Sequence, residues 1–457
     1  MINDLHDALA EAAGLLGEGD PGDIFFEDSS RERVVVEDRR VVSAQSSSTK
    51  GATARLQRGA ETRHASASSP SPEGVIELAR SIASPGGKRA SLDISPISSA
   101  TPVNLPLEDV PLEEKTKLCL FAERCARESG PIIKQVKVTL GTRRRRTIVA
   151  NQSGLLVEQI ICGANISILA IASNGEVTQT GYESLGGTGG WELLDSERIG
   201  ALAIMAAKRA ARLVSARKAP GGRMAVVLAA EAGGTMVHEA VGHGLEGDLV
   251  IGGHSVYEGK IGSPVASPLI NVIDDPTLTG LNGAYAFDDE GTAASPTLLI
   301  ENGILKRYLT DRRSAKILGA SATGNSRRES YLYPPIPRMS NTIIAPGESL
   351  PTDVIASTKR GLYVTRMGGG EVNTLSGEFV FEVAEGFLIE DGEVGELVRG
   401  ATIAGNGPEA LRSIDMVGND LGYSLGSCGK DNQGVPVADG QPTLRIAELI
   451  VGGEVEL

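Results

Sequence analysis

Residues 224–248 read MAVVLAAEAGGTMVHEAVGHGLEGD, and this stretch decides how the chain is interpreted. An apolar run at 224–229 predicts a β-strand, and the glycine pair that follows predicts a turn into a helix. That helix carries His238, Glu239 and His243. Because rigid elements hold reactive groups more accurately than loops do, a strand, turn and helix make a suitable scaffold for a site. The pattern indicates a metal-dependent hydrolase.

The two histidines have an unusual spacing. In the zinc-protease pattern His-Glu-x-x-His they are four residues apart, about 40° around the helix, and share one face. Here they are five apart, which turns the second imidazole roughly 140° from the first on a regular helix. One metal ion could not then bind both. The sequence therefore predicts a wide π-type turn or a helix break between Ala240 and Gly242.

A catalytic zinc usually takes three protein ligands, so two histidines are too few. Two further residues are chemically able: Cys428, within Gly-Ser-Cys-Gly-Lys, and His254, within Gly-Gly-His-Ser. Cys428 is favoured, because a thiolate is a strong zinc ligand and the flanking glycines allow close backbone approach. Taken alone, Cys428 is also explained as a small buried apolar residue, and His254 as a surface loop residue.

The acidic residues of the same segment predict two different roles. Glu239, beside the first histidine, suits a general base that accepts a proton from metal-activated water and returns it to the leaving amine. Glu246 and Asp248 suit supporting roles, in which each carboxylate accepts the second ring N–H of a ligand histidine. A His-Glu-x-x-x-His string alone is weak evidence, but only five histidines occur in the chain and two of them lie here.

The rest of the chain predicts an α+β protein. Its 457 residues exceed the length at which a single core usually stops growing, so we expect two domains. A long helical pattern begins near Ser196 and ends at a stop signal at 218–222. We therefore expect an N-terminal α/β-sheet domain over 1–219 and a β-rich catalytic domain over 220–457. The second domain is expected to contain a large curved antiparallel sheet that carries the metal-binding helix.

Charge and composition argue against several classes of partner. The net charge of −14 offers no broad attraction to nucleic acid or to an anionic membrane, and we expect neither as a direct partner. No run approaches the roughly 18 apolar residues of a membrane-spanning helix. The four cysteines show no paired framework and the first residues lack a basic signal-peptide region, so the expected location is the cytoplasm. The four arginines at 143–146 are expected to form an exposed hairpin rather than a nucleic-acid patch.

The second half of the chain also carries a series of ordered blocks. They are His238 to Asp248, Ile273-Asp274-Asp275, Phe287-Asp288-Asp289-Glu290-Gly291-Thr292, 323–331 (TGNSRRESY), Pro337-Arg338-Met339, Gly368-Gly369-Gly370, 376–381 (SGEFVF), 399–402, 416–420, Cys428-Gly429-Lys430 and 440–443. In these blocks the chain resembles the TldD/PmbA family of metalloproteases, also called the modulator of DNA gyrase family, and specifically its TldD branch. The first half is similar mainly in layout.

The resemblance implies a ligand set and a reaction. It implies Zn2+ bound by His238, His243 and Cys428, with Glu239 as the catalytic carboxylate, which decides the choice against His254. It implies a zinc-dependent peptidase that cleaves small or unfolded polypeptides. It also implies a dimer, formed either by two copies of this chain or with a TldE/PmbA-like subunit.

The glycine block predicts where a peptide would bind. Gly368, Gly369 and Gly370 lead to Asn373, and this segment would offer an exposed sheet edge that pairs with the main chain of an extended substrate. The alternative is that the glycines only make a tight bend.

Three arginines of the blocks are further candidates. Arg327, Arg328 and Arg338 are suited to bind a substrate carboxylate or an oxyanion, although structural salt bridges explain them equally well.

The sequence is also compatible with two other functions. One is a non-catalytic PmbA-like assembly or regulatory subunit with a structural metal site. The other is a metal-dependent amidohydrolase that acts on small molecules. The intact histidine pair with Glu239 favours the peptidase.

Overall fold

The structure is a computed structural model that describes residues 2–17, 21–58, 61–83 and 96–453. It is a mixed α+β protein, and the predicted class is confirmed. Within the described ranges, no helix combines the length and the apolar character needed to cross a membrane. The division into two domains at residues 219 and 220 stays a prediction.

The described residues of the first half form one mainly antiparallel sheet with four α-helices. The strands are β1 (Gly22–Glu37), β2 (Arg40–Arg58), β3 (Glu61–Ser68), β4 (Ile97–Ala100), β5 (Ile133–Asn151), β6 (Leu156–Ser173) and β7 (Thr178–Thr188). They lie in the order β3-β2-β1-β5-β6-β4, and β7 pairs with another part of β6. The helices are α1 (Ile2–Leu15), α2 (Pro72–Ile82), α3 (Leu112–Arg127) and α4 (Ser196–Ser215).

The two faces of this sheet have different neighbours because side chains alternate along a strand. On β1, Ile24, Phe26 and Val34 lie in the apolar cores that the four helices cover. The residues between them, such as Phe25 and Glu27, face the second half of the chain, where Phe25 packs with the ring of Tyr331.

The second half contains two larger sheets and one short ribbon. An eight-stranded sheet contains β8 (Arg217–Lys218), β9 (Gly222–Leu228), β16 (Arg360–Val372), β17 (Glu378–Glu390), β18 (Glu393–Arg399), β19 (Thr402–Asn406), β20 (Ile414–Val417) and β23 (Leu444–Gly452). A six-stranded sheet contains β10 (Val272–Asp274), β11 (Thr297–Glu301), β12 (Ile304–Leu305), β15 (Asn341–Ile344), β21 (Gly422–Lys430) and β22 (Gln433–Gln441). The ribbon pairs β13 (Ser326–Arg327) with β14 (Ile336–Pro337).

Five helices accompany these sheets: α5 (Thr235–Val237), α6 (Gly247–Ile251), α7 (Arg312–Leu318), α8 (Pro351–Ala356) and α9 (Gly407–Arg412). The eight-stranded sheet closes on itself, because β16 pairs with β9 on one side and with β17 on the other. The helical segment with the two histidines follows β9, as predicted, and contacts strands of both sheets. The prediction named one large curved sheet in this half. The structure has two larger sheets, and the segment with the two histidines lies between them.

One local prediction is wrong. The four arginines at 143–146 lie inside the 19-residue strand β5, not in a hairpin. Their side chains alternate between the faces, so Arg144 and Arg146 lie on the helix side and Arg143 and Arg145 on the side of the second half. A run of charged residues is compatible with a strand when each face supplies polar partners. Here Arg146 binds Glu158 at 2.6 Å and Arg145 binds Asp289 at 3.1 Å.

Candidate metal centre

The segment His238–Gly242 is a π-helical turn between α5 and the 3-10 turn His243–Leu245. The backbone N–H of His243 donates to the carbonyl oxygen of His238, five residues earlier. This wide turn brings the two imidazole rings to a centroid distance of 5.1 Å at right angles to one another. The departure from a regular helix that the five-residue spacing requires is therefore confirmed.

Two glycines allow this turn to pack closely against its surroundings. A Cβ atom on Gly242 would lie 1.8 Å from Sδ of Met339, and one on Gly244 would lie 2.7 Å from the ring of Tyr257. Both positions therefore exclude larger side chains for steric reasons. The sequence signal, glycine where a helix would favour alanine or leucine, indicates close approach.

Strand β21 places Cys428 against the histidine pair. Its Sγ atom lies 3.4 Å from Nε2 of His243, and one donor atom from each of His238, His243 and Cys428 lies within 4.8 Å of the others. All three residues lie in the interior. His254, the other candidate, is exposed after α6 and is outside this cluster.

Carboxylates orient both histidines. Nδ1 of His238 lies 2.7 Å from Oδ1 of Asp439, and Nδ1 of His243 lies 3.0 Å from Oε2 of Glu246. These hydrogen bonds leave Nε2 of each ring for a metal ion, the usual arrangement of a ligand histidine. The sequence predicts Glu246 in this role but contains no signal for Asp439, which is 201 residues from its histidine and is linked to it by no motif.

Asp248 has a different partner from the predicted one. Its carboxylate accepts a hydrogen bond from Lys430 Nζ at 2.9 Å, not from a histidine. Lys430 also donates to Glu246 at 3.0 Å and to the carbonyl oxygen of Pro337 at 2.8 Å. The prediction for Asp248 was wrong because a lysine two residues beyond Cys428 reaches the same place. The lysine therefore ties β21 to the segment that orients His243.

Burial and mutual charge shift the pKa values of the cluster. Burial lowers the pKa of both histidines, but Asp439 and Cys428 raise that of His238 well above its usual value, and Glu246 and Cys428 raise that of His243 to about 10. Burial raises the pKa of Cys428, but hydrogen bonds from both histidines lower it to about 5. These shifts favour the thiolate form of Cys428 and the protonated forms of both histidines. A metal ion would replace those protons.

Glu239 lies beside this cluster with its carboxylate uncommitted. The residue is half-buried, and the described part of the chain provides no hydrogen bond or ion pair to its side chain. Burial raises its pKa above the usual range, while the charges of His238 and His243 oppose that rise. A carboxylate of this kind is free to accept a proton.

Comparison with known proteins identifies the family. The model described as the PmbA/TldA metallopeptidase C-terminal domain matches residues 221–453, and those for the central domain and domain 1 match residues 105–216 and 22–84. The chain belongs to the PmbA/TldD family of metallopeptidases.

Relatives across bacteria and archaea agree with this assignment. A metalloprotease TldD homologue from Haemophilus influenzae is 39% identical, over 79% of this chain and 76% of the relative. A metalloprotease from Methanothermobacter thermautotrophicus is 36% identical, over 94% of this chain and 95% of the relative. A relative from Saccharolobus solfataricus, named a zinc metalloprotease TldD homologue, is 33% identical, over 64% of this chain and 65% of the relative.

A solved structure shares the fold of nearly the whole chain. A Thermotoga maritima protein classed with the modulators of DNA gyrase superposes with a TM-score of 0.80, covering 99% of this chain and 100% of its own. Its identity of 23% supports the fold alone.

The glycine edge of this PmbA/TldD chain lies in β16. This strand pairs with β9 only at 361–364. Its pairing with β17 shifts register between Met367 and Gly370, so Gly368 and Gly369 have no partner in that register, and Gly369 and Gly370 are exposed. A Cβ atom on Gly370 would lie 2.0 Å from the ring of Phe381. The glycines lie within β16 at this irregularity, so the local bend and the exposed edge both stay predictions. A substrate role for this edge stays a prediction.

Gly368 and Asn373 flank the exposed part of that edge. A Cβ atom on Gly368 would lie 2.8 Å from Cβ of Glu382 on β17. The Asn373 side chain accepts backbone hydrogen bonds from Leu375 at 3.0 Å and Ser376 at 3.2 Å, which closes the turn into β17. Their roles in substrate binding also remain predictions.

The candidate arginines lie in the walls around the metal centre. Arg338 is fully buried and donates to the carbonyl oxygens of Cys428 and Gln433. Arg327 donates to the carbonyl oxygens of Met339 at 2.5 Å and Pro436 at 2.7 Å. Both guanidinium groups hold the backbone around β22, so the geometry favours positioning roles, and their substrate roles stay predictions.

Two of the PmbA/TldD blocks lie between the halves of the molecule, away from the metal cluster. In the block at 287–292, Asp289 binds Arg145 and Glu290 binds Arg55. In the block at 323–331, the Tyr331 backbone N–H donates to Glu27 at 2.8 Å.

Arg328, the third candidate arginine, belongs to the same interface. Its guanidinium lies 4.1 Å from the centre of the Phe25 ring and 3.5 Å from the Asp23 carboxylate. These blocks therefore join the two halves.

Proposed function

We propose that this chain is a zinc-dependent peptidase in which His238, His243 and Cys428 hold the metal and Glu239 is the general base. The observation that carries the proposal is the convergence of three buried donor atoms within 4.8 Å beside a half-buried carboxylate that has no partner of its own among the described residues. Membership of a metallopeptidase family supports it.

The donor set fits zinc. Two imidazole nitrogens and one thiolate are ligands that zinc accepts, and in a tetrahedral site such donors lie roughly 3.5 Å apart. The 3.4 Å between Cys428 Sγ and His243 Nε2 agrees with that separation. The relative from Saccharolobus solfataricus carries zinc in its name. Bound zinc would supply Lewis acidity, which makes water more acidic and polarises a peptide carbonyl.

Glu239 would move the proton. Its raised pKa makes the carboxylate a better proton acceptor than an exposed glutamate. It would take the proton that water loses on attack and deliver it to the nitrogen of the leaving amine. Asp439 and Glu246 would keep both imidazole rings oriented through this exchange.

Small or unfolded polypeptides are the proposed substrates. The free edge of β16 at Gly369 and Gly370 would pair with the main chain of an extended peptide, a form of recognition with little side-chain preference. The proposed assembly is a dimer, either of this chain or with a TldE/PmbA-like subunit.

The test combines metal analysis with peptide hydrolysis. Glu239→Gln is expected to keep stoichiometric zinc and to lose peptide cleavage by about 100-fold or more, because general base catalysis contributes about that much. Cys428→Ser is expected to lose both zinc and activity. Zinc content is measured by mass spectrometry, and cleavage is followed with an unstructured peptide.

Glu258→Gln serves as the matched control, because Glu258 is an exposed glutamate outside the site. Unchanged activity in Glu239→Gln would remove the proposed base. A wild-type protein that binds zinc and cleaves no peptide would indicate a structural metal, and turnover of small amides alone would indicate an amidohydrolase.

A further inference from the structure

A cavity of about 820 Å³ lies between the first sheet and the β21–β22 hairpin. Its walls include Arg31 and Arg33 of β1, Arg143 of β5, Asn165 of β6, Asn282 and Ser427. We call it the arginine cavity. Its volume is in the range of small-molecule binding sites, about 300–1,000 Å³.

Two arginines of the cavity are direct neighbours across the sheet. Arg31 on β1 is in register with Arg143 on β5, so both side chains leave the same face of the sheet at the same level. Arg33 follows on that face, opposite Gly141. Like charges directly opposite one another on neighbouring strands destabilise a sheet. Arg31 and Arg33 are exposed, so water screens part of this repulsion, whereas Arg143 is half-buried.

The chain does not neutralise these charges. Among the described residues, no carboxylate oxygen lies within 4.0 Å of the guanidinium of Arg31, Arg33 or Arg143. Glu32 also lines the cavity, but its carboxylate binds Lys115. Three positive charges therefore share one wall without an internal counter-ion.

Arg145 gives the contrast within the same strand. It lies two residues from Arg143 on the same face, and its guanidinium contacts Glu27 at 3.3 Å and Asp289 at 3.1 Å. At that position the fold supplies two carboxylates. No carboxylate of a described residue lies within 4.0 Å of the Arg143 guanidinium. Both positions hold an arginine, but only Arg145 has its charge compensated by the chain.

The Arg143 guanidinium is held in place but only partly used. Its Nη2 donates to the carbonyl oxygen of Asn282 at 3.0 Å, and within the described chain Nε and Nη1 have no acceptor. Burial, with the charges of Arg327, Arg31 and Arg145, lowers its pKa to about 9, so it remains a cation at neutral pH.

The sheet beneath the arginines carries glycine. Gly163 is in register with Arg143, and a Cβ atom there would lie 3.2 Å from Arg143 Nε. Gly141 lies beside it on the same face, opposite Arg33. A Cβ atom on Gly163 would also lie 2.8 Å from the carbonyl oxygen of Gly187, and one on Gly141 would lie 2.8 Å from Oδ1 of Asn165, so both glycines allow close packing beside the arginines.

The arginine cavity borders the strand of the candidate metal centre. Asn282, which Arg143 holds, donates through Nδ2 to the carbonyl oxygens of Gly426 at 3.0 Å and Val437 at 3.3 Å. Ser427, a wall residue, immediately precedes Cys428. A ligand in the cavity would therefore lie against the hairpin that carries the proposed zinc thiolate.

We propose that the arginine cavity binds a carboxylate group of the peptide substrate, held by Arg143 and Arg31, on the face of the β21–β22 hairpin opposite to Cys428. The proposal rests on the proposed peptidase function and deepens it with a preference for acidic peptides. Two sources offer this chemistry: the C-terminal carboxylate of a short peptide, and an internal Asp or Glu side chain. Planar carboxylates match the paired donors of arginine.

Four forms of one unstructured peptide test the proposal. They carry an internal Glu or Gln, each with a free or an amidated C-terminus, and a neutral dansyl label at the N-terminus. Binding to the full zinc-loaded Glu239→Gln protein is measured by fluorescence anisotropy. Removing the responsible carboxylate is expected to raise Kd by about 10-fold to 100-fold, and the form affected identifies the source.

Variants of the chain locate the site. Arg143→Gln and, separately, Arg31→Gln are expected to abolish the preference for the carboxylate form. Arg144→Gln is the matched control, since Arg144 is the next residue of β5 and lies on the opposite face. Arg143→Gln also removes the hydrogen bond from Arg143 to Asn282, which could move the β21–β22 hairpin. Arg31 donates to no described side chain, so Arg31→Gln keeps that hydrogen bond. A loss of preference in Arg31→Gln is therefore due to the anion site and not to movement of the hairpin.

The outcomes distinguish this site from the peptidase function. Equal binding of all four peptides, or a preference that survives in both variants, overturns the arginine cavity as a carboxylate site, even when wild-type protein cleaves peptides. The site is supported if wild-type protein prefers the carboxylate form and both Arg143→Gln and Arg31→Gln lose that preference. This holds even when the wild-type protein cleaves none of the four peptides.

Discussion

Two buried polar clusters in this molecule differ in how their charges are balanced. At the interface of the halves, Arg55 contacts both Asp23 and Glu290. At the metal centre, the donor atoms of His238, His243 and Cys428 converge on one another. The interface is neutralised by the chain itself, while the donors of the metal centre are arranged to surround a cation. Burial alone therefore does not distinguish a structural ion-pair cluster from a metal site. The two differ in whether the lone pairs of the donor atoms point at a partner in the chain or at one common point.

The largest expected effect concerns the acidity of the Cys428 thiol. Burial raises its pKa, but hydrogen bonds from both histidines to the thiolate outweigh burial and lower the pKa from 9.0 to about 5, roughly a ten-thousand-fold change in acidity. In metal-free protein, thiolate absorbance at 240 nm should persist from neutral pH down to about 5 and disappear below it.

The other cysteines supply the internal reference. Burial raises the pKa of Cys119, Cys125 and Cys162, so they should be protonated at neutral pH. Subtracting the spectrum of Cys428→Ser isolates the signal. A thiolate that appears only near pH 9 would mean that the histidines do not act on the sulfur.

Next in size is the loss of the central cation at the interface. Arg55→Ala would leave the carboxylates of Asp23 and Glu290 buried without a partner. Breaking a buried ion pair from one side typically costs about 3–5 kcal/mol. Urea unfolding should show a decrease of that size in the free energy of unfolding.

Arg63→Ala is the control for that experiment, because Arg63 pairs with Glu61 on the exposed strand β3 and should cost about 1 kcal/mol or less. Equal effects of the two substitutions would contradict the difference between a neutralised interior and a solvated surface.

The smallest of the three effects tests the outer hydrogen bonds of the metal centre. Asp439→Asn keeps the shape of the side chain but removes the charge that orients His238. Loss of such a partner typically weakens metal binding about 10-fold to 100-fold. Competition with a chromophoric chelator measures zinc affinity.

Asp353→Asn, an exposed aspartate at the start of α8, is the comparison for the Asp439 substitution. If Asp439→Asn bound zinc as tightly as Asp353→Asn, the Asp439 contact would have no part in holding the metal.

The local features of the candidate site were accessible from the sequence. Helix geometry requires a bulge when two ligands stand five residues apart, and the π-helical turn at His238–Gly242 supplies it. Glu246 was accessible for the same reason, since it lies three residues from His243.

Asp439 and Lys430 were not predictable in this way. Each acts on a residue about 180–200 positions away, and no periodicity connects them. The error for Asp248 has the same origin, because its actual partner comes from β21.

The arginine run shows the same limit at the level of the fold. Its charge suggested a solvated hairpin, but alternation along β5 gives Arg143 and Arg145 one face and Arg144 the other. The family blocks at 287–292 and 323–331 were recognisable as sequences, whereas their place between the halves was not.

By itself the sequence determined the chemistry of this protein: its donor types, the candidate base at Glu239, the bulge between the histidines and the family resemblance. These depend on residue identity and on spacing within a few turns of chain. Only the tertiary structure decided which carboxylate orients His238, and that Arg143 lacks the partners that Arg145 has. The reason is physical: contacts between distant segments follow from how sheets pack, and no single segment of the sequence contains that information.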